Sequence, residues 1–145
     1  AALQEAGLPV ESQLTREGTF HQPEGYSCAR ELLQLRKRPT AIFASNDLMA
    51  IGAMAYLNDR GITVPEQVSV VGFDDITMAR YSSPLLTTYA TPIGEVGERM
   101  CRLLFDRIDG LLPSERQQVL VYGELKVRKS TASCAVGKGP ARFET

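Results

Sequence analysis

Short apolar runs alternate along the chain with amphipathic stretches, a pattern typical of a sheet flanked by helices. Two runs, residues 40–45 and 68–73, are almost entirely apolar. Such runs predict strands that are buried on both faces, as in a parallel sheet. Between them, residues 47–60 predict a helix, for which Asn46 is a favourable N-cap. Residues 40–73 therefore predict one strand–helix–strand unit.

Further helices and strands are predicted on both sides of this unit. Gly7 would end a first helix, a second would run from Gln22 or Pro23 to just before Pro39, and a third from Pro92 to Gly110. Short strands are predicted within residues 12–20, at 85–90, at 119–122 and at 125–128. This order of elements favours an α/β fold with a parallel sheet.

Composition indicates one ordinary globular domain. The chain has 145 residues, of which 43% are hydrophobic and 23% are charged. Its 16 basic and 17 acidic residues give a net charge of −1, without the basic excess that nucleic-acid binding favours. No apolar run approaches the length of about 18 residues that a membrane-spanning helix needs. The sequence therefore predicts neither direct DNA binding nor membrane insertion.

The cysteines do not indicate a metal site or a disulfide framework. Cys28, Cys101 and Cys134 lie far apart, and His21 is the single histidine. An odd number of distant cysteines without a CxxC pair is typical of free thiols in a reducing cytoplasm. No phosphate-binding glycine motif is present, so the sequence predicts no metal and no cofactor.

Candidate ligand-binding residues follow the predicted strands, because ligands of parallel α/β folds bind at the carboxyl edge of the sheet. Phe20 could pack on a sugar ring, while Asn46 and Asp74 could bond its hydroxyl groups. Each has a simpler structural explanation. Phe20 could be a core residue, and one of the adjacent Asp74 and Asp75 could cap a turn. Asn46 could serve only as the N-cap, although both roles can coexist.

Enzymatic interpretations find less support in the sequence. Adjacent acids such as Asp74 and Asp75 on a strand would point to opposite faces, unlike the spaced carboxylates of glycosidases. A nucleophile–histidine–acid triad would depend on His21, and no GxSxG motif occurs. The sequence therefore predicts a protein that is not an enzyme.

Four segments resemble the lactose/galactose repressor family of bacterial transcription regulators. Residues 39–52 read PTAIFASNDLMAIG, 64–75 read VPEQVSVVGFDD, 84–88 read PLLTT and 125–131 read LKVRKST. They occur in the family's order and spacing. The resemblance covers residues 1–133.

This resemblance implies a periplasmic-binding-protein-like fold, in which a ligand cleft lies between two α/β lobes. Residues 1–133 would form the C-terminal part of the effector-binding region: the C-terminal lobe plus one helix and one strand of the N-terminal lobe. Residues 134–145 would be a flexible tail. The helix at 92–110 would belong to the N-terminal lobe, so its apolar side would dock in an unusual way here or be covered by a partner chain.

The resemblance also implies roles for individual residues. Asn46 and Asp74 match the positions that hydrogen-bond the effector, and Phe20 matches the aromatic residue that packs on it. Asp75 matches the pattern as a structural acid. The family dimerises through this lobe, and the matching surface would comprise Met49, Ile51, Met54, Met78 and Tyr81. Ile51 and Met54 could instead be core residues.

These inferences predict the effector-sensing and dimerisation part of a cytoplasmic transcription regulator, usually a repressor. Its partners would be a sugar or related small metabolite, a second copy of the chain, and operator DNA bound through a helix-turn-helix domain outside this sequence. The alternative is a periplasmic sugar-binding protein of an ABC importer. A hydrolase or aldolase that uses Asp74 is a third and less supported possibility.

Overall fold

The computed structural model describes residues 2–112 and 115–133, in which short helices and strands alternate. Two 3-10 helices, Ser12–Leu14 and Thr77–Arg80, lie in the connections. The α-helices are α1 (Ala2–Glu5), α2 (Gln22–Gln34), α3 (Asp47–Asp59) and α4 (Ile93–Ile108), and the strands are β1 (Ala41–Phe43), β2 (Ser69–Phe73), β3 (Thr87–Ala90) and β4 (Glu124–Lys126).

One mixed, mostly parallel sheet organises the fold. Its strand order is β1-β2-β3-β4, with β2 parallel to both β1 and β3, and β4 antiparallel to β3. Residues 41–73 thus form the predicted parallel strand–helix–strand unit, which confirms the α/β fold class. Because β1, β2 and β3 run in the same direction, the segments that follow them begin at one edge of the sheet.

The core lies where α2 and α3 pack together and against the sheet. Leu57 of α3 and Val70 of β2 are fully buried there. Two glycines let the helices approach closely. A Cβ at Gly52 would lie 2.0 Å from the Gln22 carbonyl oxygen, and one at Gly25 would lie 2.1 Å from the Met49 carbonyl oxygen. The backbones of α2 and α3 therefore touch where no side chain fits.

The predicted helix signals of α3 and α4 are confirmed. Asn46 caps α3, because its Oδ1 accepts a hydrogen bond of 2.9 Å from the Met49 N–H. Gly61 and Gly110 follow α3 and α4 with φ of +66° and +70°, the left-handed conformation that glycine adopts most readily. These helix ends are therefore set by local sequence.

Four sequence predictions differ from the structure. No strand forms within residues 12–20, where a 3-10 helix occurs, and residues 119–122 are not a strand. Helix α2 ends at Gln34, several residues before Pro39, because Leu35 is already extended. Strand β1 is not buried on both faces: Phe43 is 70% exposed. In the described chain one face of the sheet is covered, so buried positions alternate along β1 and β2.

Helix α4 buries none of its residues against the described chain. Most of its apolar side chains are exposed, and Glu95–Arg99 and Glu98–Arg102 form ion pairs one turn apart on its polar surface. The exposed apolar residues are Ile93, Met100, Leu104, Phe105 and Ile108. The predicted tail, 134–145, lies outside the described residues, as does Cys134. None of the described helices combines the length and the apolar character that a membrane crossing requires.

Candidate functional site

Phe20 and Asn46 meet at the carboxyl edge of β1. The Asn46 Nδ2 group donates a hydrogen bond of 2.8 Å to the Phe20 carbonyl oxygen, while its Oδ1 caps α3. Phe20 has a φ of +66° and its ring is mostly exposed. Phe20 is therefore not a core residue. Asn46 anchors the backbone that presents the exposed ring.

Asp74 directly follows β2 at the same edge of the sheet. Its N–H donates a hydrogen bond of 2.9 Å to the Tyr89 carbonyl oxygen of β3. Its side chain is half-buried, and within the described part of the chain its carboxylate accepts no hydrogen bond. Partial burial raises the pKa of the Asp74 carboxyl, and the nearby Asp47 carboxylate adds to that increase. Asp74 thus retains acceptor capacity for an external donor.

Asp75 is tied to the protein by two arginines. Its carboxylate forms ion pairs with Arg128, and with Arg80 at 3.0 Å, and the side chain is only 6% exposed. Burial alone would raise the pKa of Asp75, but the hydrogen bonds from Arg128 and Arg80 hold it below its usual value. The structure therefore gives the two adjacent acids different environments.

The strained backbone of the described chain is concentrated at this edge. Apart from glycines, Phe20, Asp74 and Asp75 are the described residues with positive φ, at 66°, 108° and 57°. Such conformations cost about 1–3 kcal/mol each and persist only where surrounding contacts impose them. Residues of this kind cluster at ligand-binding and catalytic sites. The strained residues and the candidate ligand-binding residues thus lie at the same edge of the sheet.

Asp47 and Arg128 are structural members of the site that the sequence analysis did not assign to it. Asp47 is fully buried and accepts hydrogen bonds from the Ile76 N–H at 2.8 Å and the Thr88 hydroxyl at 2.5 Å. Burial raises its pKa, and those two bonds oppose the increase. Arg128 follows Asp75 by 53 residues, so no local pattern could pair them.

An aromatic pair lies beside Asp74. The rings of Phe73 and Tyr89 stack with centroids 5.3 Å apart, and the Tyr89 hydroxyl accepts a hydrogen bond of 2.6 Å from the Gly123 N–H. A Cβ at Gly123 would lie 2.2 Å from the Ala90 carbonyl oxygen. This pair thus fastens the residues before β4 to the end of β3, next to the candidate ligand-binding edge.

The proposed dimer residues fall into two groups. Met49 and Met54 are buried in the core, so these two side chains are covered by the chain itself. Ile51 is partly buried and lines an open apolar groove between α2 and α3, together with Tyr26. Met78 and Tyr81 are exposed, Tyr81 at 83%. Ile51, Met78 and Tyr81 can therefore contact another molecule without rearrangement.

No cluster suited to a metal ion occurs among the described residues. No group of three or more histidine, cysteine, aspartate or glutamate side chains comes together there in a way that could hold one. His21 is exposed at the start of α2, and its side chain does not cap the helix. The site as described thus consists of an exposed aromatic ring, an amide and a carboxylate.

Comparisons with known proteins agree with this architecture. The family model of a periplasmic binding protein-like domain matches residues 1–131. The HTH-type transcriptional repressor PurR of Mannheimia succiniciproducens is 40% identical over 134 residues, covering 92% of this chain and 40% of the relative. The chain therefore spans about two fifths of that relative's length.

Two solved structures illustrate the match in three dimensions. The transcriptional regulator CelR, solved as a cellobiose complex, is 38% identical with a TM-score of 0.83, covering 89% of this chain and 39% of its own. The transcriptional repressor ascG of Escherichia coli is 37% identical with a TM-score of 0.76, covering 91% of this chain and 47% of its own. Both are named as transcription regulators.

Proposed function

Because the chain belongs to the lactose/galactose repressor family, within its periplasmic-binding-protein-like region, we propose that it is the effector-sensing part of a DNA-binding repressor. The observation that carries this proposal is the concentration of backbone strain at Phe20, Asp74 and Asp75, all at the carboxyl edge of the sheet. That edge is where ligands bind in parallel α/β folds. Strained residues of this kind cluster at ligand-binding and catalytic sites, which supports a binding role for this edge.

The proposed effector is a sugar or a related small metabolite. The exposed Phe20 ring offers an apolar face for a flat or ring-shaped molecule, and the half-buried Asp74 carboxylate offers an acceptor for a hydroxyl or N–H group. A partly buried acceptor discriminates between ligands, because a ligand without the matching donor leaves it unpaired. That a similar regulator was solved with cellobiose supports the sugar class.

A thermal-shift panel of sugars, sugar acids, nucleosides and purines tests this assignment on the wild type and on Asp74→Ala. A bound compound at 100 times its dissociation constant is expected to add about 2.7 kcal/mol of stability. Loss of a charge-assisted hydrogen bond in Asp74→Ala is expected to lower the affinity for that compound about tenfold or more. Asp109→Ala, an exposed acid at the end of α4, is the matched control. A shift that is undiminished in Asp74→Ala would contradict the assignment of the site.

We further propose that the protein dimerises through the Ile51 groove together with the exposed side chains of Met78 and Tyr81. Exposed apolar patches commonly mark interaction surfaces, and these residues match the surface through which the family resemblance implies dimerisation. Tyr81→Asp is expected to shift the sedimentation profile from dimer towards monomer at micromolar concentration, because a buried unpaired charge opposes association. Met100→Asp, which places the same charge on the exposed surface of α4, is the control. If Met100→Asp dissociates the dimer and Tyr81→Asp does not, the interface would be assigned to α4 instead.

Effector binding would act on DNA affinity through a shift between two conformations, and only by as much as the effector's affinities for them differ. Under this proposal the protein is a cytoplasmic regulator and performs no catalysis. The named relatives are transcription regulators, which favours this function over the alternative of an ABC-importer sugar-binding protein.

A further inference from the structure

We propose that Asp47 is a positioning residue, which anchors the turn that follows β2 and thereby holds the Asp74 carboxylate at the edge of the sheet. Asp47 does not itself belong to the exposed surface, since it is fully buried. The consequence for effector binding rests on the proposed function. The positioning itself is a property of the folded chain and is testable without an effector.

One carboxylate connects three parts of the fold. Asp47 is the first residue of α3, and its Oδ2 accepts the Ile76 N–H, two residues after Asp74. Its Oδ1 accepts the hydroxyl of Thr88, which is paired with Gly72 of β2. The Asp47 carboxylate therefore ties the start of α3 to β3 and to the far end of the turn that carries Asp74.

The turn requires such an anchor because its backbone is strained. Asp74 and Asp75 are consecutive residues at φ of 108° and 57°, a conformation that relaxes unless contacts on both sides prevent it. Arg128 and Arg80 hold the Asp75 side chain, and the Asp74 N–H is bonded to β3. The Asp47 carboxylate is a further tether, and it acts on the backbone just after the strained pair.

The backbone beneath Asp47 is shaped to fit its carboxylate. A Cβ at Gly72 would lie 2.2 Å from the Asp47 Oδ1, so the carboxylate occupies the space that a side chain on β2 would need. The ionised groups that face it are Asp74, Asp75 and Arg128. Its negative charge contributes to the raised pKa of Asp74, so removal of that charge should make Asp74 more acidic.

Amide hydrogen exchange on the full chain tests the tether directly. In Asp47→Ala the Ile76 amide loses its acceptor and should exchange about tenfold faster relative to the Val70 amide, which donates to the Ser130 carbonyl and reports the core. Asp47→Asn keeps an oxygen for Ile76 and can donate to the Thr88 hydroxyl, so it should restore the protection. NMR titration of Asp47→Asn should show a lower Asp74 pKa than in the wild type. Asp59→Asn, at the end of the same helix, should change neither quantity.

If amide hydrogen exchange becomes faster by the same factor at Ile76 and Val70 in Asp47→Ala, the proposal is overturned, because the result would show general destabilisation rather than loss of a local tether. Unchanged protection of Ile76 would overturn it too. If Asp47→Ala does not fold, Thr88→Val can be used, because it removes one of the two groups that anchor the Asp47 carboxylate. In Thr88→Val the hydrogen exchange of the Ile76 amide should become several-fold faster relative to that of Val70. An equal effect on both amides, or no effect, would also refute the proposal. None of these readouts uses an effector, so a failed ligand panel would count against the proposed function and leave this test intact.

Discussion

Gly52→Ala is expected to lower the free energy of unfolding by about 3 kcal/mol, at the upper end of the usual cost of overpacking a core. The added Cβ would lie 2.0 Å from the carbonyl oxygen of Gln22 and 3.0 Å from the amide nitrogen of Tyr26. Both are backbone atoms of α2, which cannot move aside as the end of a side chain can. The helices would have to separate, and the packing between α2 and α3 would be lost.

Urea unfolding followed by circular dichroism measures this change. Gly97→Ala is the matched control, because Gly97 also lies within a helix but an added Cβ there would meet no neighbouring part of the described chain within 4 Å. That control should gain up to about 1 kcal/mol, since alanine is the better helix former. A loss below about 1 kcal/mol in Gly52→Ala would contradict the close approach of α2 and α3 at Gly52.

Asp75→Asn is expected to cost about 2 kcal/mol at neutral pH, the range for hydrogen bonds to charged groups. Arg128 would lose its charged partner while only 16% of its side chain is exposed, so little water could replace the carboxylate. Arg80 adds little, because it is 63% exposed and such pairs are screened by solvent. Thermal or urea unfolding of the two proteins at several pH values gives the difference in stability.

The pH dependence of that difference follows from the depressed pKa of Asp75 in the folded protein. Its stabilisation is fully present above the pKa of the unfolded chain, about 3.9, and is lost as the pH falls through the lower folded value. The gap between wild type and variant should therefore stay constant near neutrality and close in acid. Asp47 and Asp74 have raised pKa values in the folded protein, so their contributions to stability change with pH in the opposite direction. Wild type and variant both contain these two residues, so their contributions cancel in the difference between the two proteins.

A second variant separates this effect from general surface electrostatics. Glu98→Gln removes a carboxylate from an exposed pair with Arg102 on α4, where both side chains are at least 70% exposed. It should change stability by less than about 0.5 kcal/mol. A difference for Asp75→Asn that does not diminish in acid would exclude the ion pair with Arg128 as its cause.

Local signals in the sequence predicted much of the fold. The caps of α3 and α4 depend on neighbouring residues, such as Asn46 before one helix and Gly110 after the other, and both were found. The parallel strand–helix–strand unit followed from two apolar runs and the helix between them. The prediction of β1 as a strand buried on both faces was wrong, since burial depends on what covers each face of the sheet and not on the composition of the strand.

The candidate site was only partly accessible from the sequence. Asn46 and Asp74 follow strands that run in the same direction, which is why both were assigned to one edge; the roles of Phe20, Asn46 and Asp74 in binding stay predictions. The anchoring of that edge could not be predicted, because Asp47 bonds Thr88 and Asp75 pairs with Arg128 across 41 and 53 residues. Side chains so far apart meet only through the packing of the sheet.

The sequence by itself thus determined the central strand–helix–strand unit, the ends of two helices and the edge at which polar residues gather, because each depends on short-range periodicity and capping. Only the tertiary structure decided which acid is tethered and which is available. Asp74 and Asp75 are chemically identical and adjacent, yet the arginines reach Asp75 alone, while Asp74 keeps its carboxylate unbonded among the described residues. That distinction arises from the strained turn and its distant partners, which no local pattern encodes.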